Sequence, residues 1–575
     1  MLGVCLAMLL LVMVLMGILG GLAAYGEKKV ATEPGTILKI SLDAPVTERA
    51  SGNPSDMLDL LLSGSTSAMG LNDVLSCIKK AKTDDHIRGI YLKMSSIDMG
   101  FATLEEIRNA LLDFKSSGKF VLAYGESFSG GMYYLASAAD KVYLAPMGDI
   151  SWKGLRAQVV FYKGLFEKLG VEVQVVRHGK FKSAVEPYLL DKMSPENREQ
   201  YARLLDNMWA HLLHRVSETR GIPTDSLDVW ADQLAVYDDV DALEKGMVDG
   251  LLYPDQMQDT LMKAVSVIQE KDLRWMDMEA YKSVPDPLLK KLEKNKIAVV
   301  YAFGDVVMGK GGDGQVSSRG VSEALRDARK DSTIKAIVFR INSPGGSVLA
   351  AEEIWREACL AAEAKPLVAS FGDYAASGGY YIATPAAAIV AQPTTLTGSI
   401  GVFWLAPMVG KAMKDKLGLS LDVYATNESA DAPSLFRPMT PSERETVLKG
   451  VEKAYDVFLS HVSDGRSLSK DSVDAIGQGR VWNGMDAKAL GLVDTLGGIR
   501  DAIELAAVKA GLESYRVTEF PKQKSTMEQL LELFNLEAVM LRGQWGELAG
   551  PYQYLRDLAG RRGMQARWEE DLVIY

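Results

Sequence analysis

Cysteine and histidine are scarce in this chain of 575 residues, at three and five respectively. Three cysteines cannot build a disulfide framework. Cys5 lies in an apolar leader, and Cys77 and Cys359 fall on predicted helices, where a thiol packs as a small apolar filler. The five histidines (His86, His178, His211, His214 and His461) are dispersed, and no His/Cys/carboxylate group has metal spacing. No metal and no cofactor are therefore expected. Positive charge is also lacking: the net charge is −11, which argues against a general nucleic-acid binder, because that needs a basic face. Long hydrophobic runs are missing beyond the first 25 residues, which carry no charged side chain. About twenty such residues span the hydrocarbon core of a bilayer. A cleaved signal peptide is the alternative, but the run exceeds a usual apolar region, no basic segment precedes it and no clear A-x-A site follows. Residues 1–25 are expected to form an uncleaved transmembrane helix, with the rest of the chain as one body on one side of a lipid bilayer. Lys28 and Lys29 after the span give weak guidance on orientation.

What is present is a passage written twice. IRGIYLKMSS (87–96) answers IKAIVFRINS (334–343), and SGGMYYLASAADKVYLAP (129–146) answers SGGYYIATPAAAIVAQP (377–393). KSAVEP with MSPENRE (182–199) answers ESADAP with MTPSERE (428–445). Ile87 thus pairs with Ile334, Ser129 with Ser377 and Lys182 with Glu428, at offsets of 247, 248 and 246 residues. That period is too long for a solenoid and fits a duplicated domain.

Each copy alternates strands and helices. Strands open at 36–52 and 295–312. Helices follow at 71–83 and 320–330, strands at 87–93 and 334–341, helices at 102–116 and 347–363, and strands at 119–124 and 366–371. This order predicts an α/β fold with a largely parallel sheet. Long amphipathic helices are expected over 196–220 and 442–464. The first copy is read as 30–270, the connection as 271–294, the second copy as 295–520 and a C-terminal tail as 521–575. The tail contains a short apolar helix (526–541) and an Arg-rich segment (Arg556, Arg561, Arg562, Arg567), read as a solvated tail or an oligomer arm.

The two copies differ where chemistry would sit. In the second, AIVFRI runs into NSPGG, whose glycines let backbone N–H groups approach a bound group closely. One strand later Ser377 stands at a strand-to-helix turn in YAASGGYY. Exposed N–H groups at a helix start suit a developing oxyanion, although Ser377 taken alone reads more readily as a helix cap. Two Gly-rich turns at neighbouring parallel strand ends meet in the crevice where such sheets bind ligands, which favours a nucleophile. A nucleophilic serine needs a base. His461 is the histidine nearest in the second copy, and it is read on the outer face of a long helix. A lysine serves if burial lowers its pKa by roughly three units; Lys182, in RHGKFKSAVEP, and its neighbour Lys180 are the candidates.

Taken together, INSPGG, YAASGGYY, TLTGSIG and the upstream FKSAVEP resemble the long form of the signal peptide peptidase A family, from the apolar leader to about residue 520. The resemblance implies tandem ClpP/crotonase-like domains with an N-terminal transmembrane helix, acting as a membrane-anchored serine endopeptidase with a Ser–Lys dyad. It implies Ser377 as nucleophile, Lys182 rather than Lys180 as general base and Ser399 as the residue that orients the lysine. Gly378 and Gly346 are implied as oxyanion donors, with Gly345 able to substitute for Gly346. It further implies signal-peptide remnants and unfolded peptides as substrates and a bowl-like homotetramer. The location implied is a bacterial inner membrane, crossed once, with the catalytic body on the periplasmic side.

In the first copy Ser129 aligns with Ser377, but SIDM (96–99) replaces SPGG, and the lysine position of the other copy is Glu428. Ser399 has Ser151 or Trp152 as its counterpart. Ser129 is expected to cap a helix and not to react. GDVVMGK (304–310) resembles a P-loop but lacks the following Ser or Thr, so no nucleotide is expected. Two other readings remain: a crotonase-like acyl-CoA enzyme, which needs neither Ser377 nor Lys182, and a non-catalytic oligomeric membrane scaffold.

Overall fold

The computed structural model describes residues 31–50, 68–95, 99–286, 293–312, 314–522, 563–567 and 573–574. The expected transmembrane helix (1–25), the 526–541 helix, and Arg556, Arg561 and Arg562 lie outside the described residues. Among the described residues no helix is long and apolar enough to cross a membrane.

The duplication is visible in strand order. The first copy forms a parallel sheet in the order Trp275–Asp277, Thr36–Leu42, Ile87–Met94, Phe120–Ser129, Lys141–Ser151, Gly250–Leu251. The second repeats it with Arg516–Phe520, Lys296–Phe303, Ile334–Ser343, Leu367–Ala376, Ala388–Ala391 and Thr495–Leu496, again all parallel. The central strands are runs such as TILKISL and KIAVVYAF with nearly every residue buried, as expected when helices cover both faces of a parallel sheet. Two elements differ from expectation. The 275–277 strand and helix Met278–Lys282 lie in the span assigned to the connection, yet they belong to the first sheet. The pairing of 275–277 with 36–42 is non-local and leaves no periodic signal in three residues. The tail also differs: Gly563–Arg567 is an inserted strand, and Arg567 forms an ion pair with Asp305 at 2.9 Å rather than facing solvent.

The copies share a core. Leu38, Ile90 and Tyr133 of the first pack in one apolar cluster with Ile297, Val338 and Ile499 of the second. Within this junction Arg340, fully buried, reaches Glu48 at 2.7 Å and Glu106 at 2.6 Å, both from the first copy. The long helices run over Pro195–Arg220 and Pro441–Arg466. Each is started by a side-chain cap, Ser194 and Thr440, with Pro at the first turn, where its missing N–H costs nothing.

A third sheet joins the copies. Its order is Gln315–Ser317, Asp305–Val307, Gly345–Ser347, Gly563–Arg567, Phe403–Met408, Glu172–Arg177. The last strand comes from the first copy and pairs antiparallel with 403–408 over six residues, from Phe403 opposite Arg177 to Met408 opposite Glu172. Val173 and Val175 pack there against Phe403 and Leu405.

Candidate active site

The strand 367–376 ends at Ser377, whose backbone is held at φ 55° and ψ −114°. That region is sparsely populated for a residue with a side chain, and holding it costs about 1–3 kcal/mol. Two contacts hold it: Ser377 N–H donates to Gly398 O at 2.8 Å, and the following Gly379 lies so close to Ser343 that a Cβ would meet its carbonyl at 2.5 Å. The Ser377 side chain makes no cap to helix Gly378–Tyr381, so its hydroxyl is not spent on the helix. Ser129 is the contrast. Its backbone is ordinary, at φ −66°, and its Oγ accepts from Met132 N–H at 3.2 Å.

Lys182 arrives from the other copy. The antiparallel pairing of 172–177 with 403–408 carries the chain past Ser399. Then His178 N–H donates to Val402 O (3.1 Å) and Phe181 N–H to Gln478 O (2.9 Å). The lysine carbonyl accepts from Arg177 Nη1 at 3.0 Å. Lys182 Nζ ends 2.7 Å from Ser377 Oγ, 3.0 Å from Ser399 Oγ and 3.1 Å from Ser399 O. Ser377, Lys182 and Ser399 are at most 1 % exposed. Burial holds the Lys182 ammonium well below the usual lysine range, with no opposing carboxylate among the described residues. Ser399 has φ 50°, and its N–H is fixed by Arg480 O at 2.7 Å.

Lys180 points elsewhere, with Nζ over the Phe181 ring at 5.2 Å. Gly346 and Gly378 are both buried, and Gly378 directly follows the serine. Gly345 N–H is taken by Ser343 Oγ at 3.2 Å. Gly346, at φ 155°, has its Cβ direction filled by Val306 O, 2.2 Å away, so no larger residue fits that turn. Glu428 lies on an exposed segment far along the chain from its copy's strands. His461 differs from its expected outer-face position: it stacks on Trp355 at 3.6 Å and meets Glu352 at 3.1 Å, because a helix face that looked polar packs on helix Val348–Ala364.

Sequence reasoning missed the supports. Gly479 lies against Lys182, and its carbonyl accepts from Ser399 Oγ at 3.4 Å. The closely spaced glycines of GQGR (477–480) were the available signal. Glu186, buried in the SAVEP segment, accepts from Ser194 N–H, Ser194 Oγ and Asn197 Nδ2. Gln200 bridges the copies by accepting from Val481 N–H at 2.8 Å. In the first copy Ser129, Gly130, Gly131 and Ser151 line a cavity of about 530 Å³ at the position equivalent to the Ser377 site.

Chemically, a hydroxyl, a desolvated amine and Gly-rich turns at the end of a parallel sheet are the parts needed for acyl transfer. The family model described as peptidase family S49 matches residues 113–268 and 360–513, one segment in each copy. Protease 4 of Salmonella typhi is 36% identical over 86% of this chain and 80% of its own. The chloroplastic serine protease SPPA of Arabidopsis thaliana is 36% identical over 79% of this chain and 68% of its own. Among solved structures, a ClpP1 mutant from Listeria monocytogenes is 16% identical, covering 36% of this chain and 94% of its own with a TM-score of 0.25.

Proposed function

The chain belongs to peptidase family S49 and is a serine peptidase, and from that premise we propose that Ser377 is its nucleophile and Lys182 its general base. The observation that carries this is the 2.7 Å approach of Lys182 Nζ to Ser377 Oγ in a buried site. Among the described residues the lysine has no acidic partner there to keep it charged. A neutral amine accepts the hydroxyl proton as Ser377 attacks a peptide carbonyl. The N–H groups of Gly378 and Gly346 bind the oxyanion, each such donor being worth about 10²–10³ in rate. The Ser343 bond to Gly345 N–H supports Gly346 over Gly345. Lys182 then protonates the leaving amine and activates the water that hydrolyses the acyl-enzyme. Ser399, bonded to Nζ through both its oxygens, orients the amine. The side-chain cap made by Ser129 supports a structural role for that residue.

The substrates proposed are remnants of cleaved signal peptides and other short unfolded segments. The chain would act as a tandem ClpP/crotonase-like body held by residues 1–25 at a bacterial inner membrane, on its periplasmic side. A homo-oligomer, read as a tetramer, is supported by an imperfection in the repeat. Helices Lys163–Leu169 and Gly410–Leu417 both end on a left-handed glycine, Gly170 and Gly418. After Gly170 the chain forms the strand that pairs with 403–408. After Gly418 the equivalent residues SLDVYA (420–425) lie exposed, Val423 at 66% and Tyr424 at 97%. A neighbouring chain's 157–162 segment, the counterpart of 403–408, is their proposed partner.

The acyl-CoA alternative gives the Ser377–Lys182 contact no work. The test is digestion of an unfolded-peptide library by the membrane-extracted chain and by its Ser377→Ala and Lys182→Ala variants, with oligomeric size measured on each. Loss of hydrolysis in both with assembly intact supports the dyad; hydrolysis surviving Ser377→Ala overturns it.

A further inference from the structure

The first copy keeps a cavity where the second copy has its site. It encloses about 530 Å³ and is lined by Ser129, Gly130, Gly131 and Ser151, with Ser129 and Ser151 directly paired in the sheet. Ser129 is the counterpart of Ser377 in the repeat, but the reactive parts are gone. Ser129 Oγ accepts from Met132 N–H at 3.2 Å. Glu428, the counterpart of Lys182, lies on an exposed segment. In the register that pairs Ile87 with Ile334, Met99 stands where the second copy has Gly346, and Met99 lines the cavity.

What remains is a shape for binding. Phe101, Leu104, Trp209 and Leu212 supply apolar wall. The two charged residues that line the cavity, Lys153 and Arg156, are both basic and both exposed, in a chain whose net charge is −11. A mostly apolar pocket of this size, with a few polar groups at fixed places, is the usual form of a ligand site. The repeat argues that the ligand is a peptide, since the equivalent place in the other copy of this peptidase holds the candidate active site. The basic pair favours an anion, and the apolar wall favours uncharged side chains next to it. A peptide meets both demands at its carboxyl end.

We propose that the first-copy cavity is a second, non-catalytic peptide site, which takes an apolar segment by its free carboxyl terminus, the class of product that hydrolysis itself releases. The proposal rests on the peptide reading of the function and not on which residues perform the chemistry. One wall of the cavity also touches the other copy. Phe101 and Leu155 pack against the cluster that holds Ala376, the residue before Ser377. Thr103 donates to the Asp373 carboxylate through its N–H at 3.0 Å and its Oγ1 at 2.6 Å. The test therefore leaves that wall intact and works from Lys153 and Ser151.

The full chain in detergent, carrying Ser377→Ala so that peptide is not consumed, is titrated calorimetrically with acetyl-Ala-Ala-Leu-Leu, its carboxyl group free or amidated. The free acid is expected to bind about tenfold more tightly than the amide. Lys153→Glu is expected to remove that preference and Lys153→Arg to keep it. Ser151→Phe fills the cavity and is expected to weaken the free acid roughly tenfold, the scale of one buried apolar side chain. No binding, equal affinity for acid and amide, or a free-acid affinity that either Lys153→Glu or Ser151→Phe leaves unchanged overturns the proposal. Binding of laurate without binding of the peptide also overturns it, and makes the cavity a fatty-acid site. Hydrolysis surviving Ser377→Ala overturns the catalytic reading alone.

Discussion

Gly479 and Lys182, nearly 300 residues apart, touch so closely that a Cβ on Gly479 would lie 2.6 Å from Lys182 Cβ and 2.7 Å from its Cα and N. Gly479 also has φ 80°, where only glycine is at ease. Gly479→Ala is expected to push the lysine backbone away from Ser377. A displacement of about 1 Å can cost on the order of 10²-fold in rate. Hydrolysis should fall by that scale while far-UV circular dichroism stays native; an unaffected kcat/KM would show that the contact does not position the base.

On the proposed dyad, Ser377→Ala and Lys182→Met should each reduce peptide hydrolysis by at least about 10³-fold, and the double variant should be little worse than either, as expected of two residues acting as one unit. Ser129→Ala should leave hydrolysis unchanged and lower stability by about 1 kcal/mol through the lost cap, read by denaturant titration.

Burial lowers the Lys182 pKa in the folded chain. With Lys182 as the proposed general base the active form is the neutral amine, so kcat/KM should rise with pH through that lowered value and fall on acidification. The sign for stability is the same. Between the folded pKa and the ordinary lysine value the unfolded chain binds the extra proton, so stability rises with pH across that window. Lys182→Met should remove this component of the stability profile, measured by thermal unfolding at several pH values.

Arg340 forms ion pairs with two buried carboxylates, Glu48 and Glu106. Burial pushes Glu106 up to about 7, opposed by Arg340 and reinforced by Glu48. The folded state therefore holds a proton that the unfolded chain releases above its own carboxyl pKa. Stability from this group is full below the unfolded value and is lost as pH rises towards about 7. Glu106→Gln should flatten that fall. Arg340→Leu should destabilise by about 3–5 kcal/mol, since it leaves both carboxylates unpaired.

Val423→Asp places a charge on the exposed 420–425 segment. If that segment joins neighbouring chains, light scattering should show smaller particles while thermal stability of the single chain is unchanged. Particles of unaltered mass would remove the segment from the interface.

The strands were legible because burial on both faces writes continuous apolar runs, and the Ser377 turn was legible because SGG follows such a run. Strand 275–277 was not, since three residues carry no period and its stability comes from a partner over 200 residues away. The position of His461 was missed for a related reason: a polar-looking helix face was covered by another helix.

By itself the sequence determined the duplication, the α/β alternation and the unequal sharing of special residues between copies, because local pattern and repetition survive in one dimension. Only the tertiary structure decided that Lys182 and Ser377 meet, that the amine is desolvated there, and that a tail strand joins 345–347 to 403–408. Each of these depends on strands 172–177, 345–347, 403–408 and 563–567 joining one sheet. Main-chain pairing of that kind carries no sequence signature of its partner.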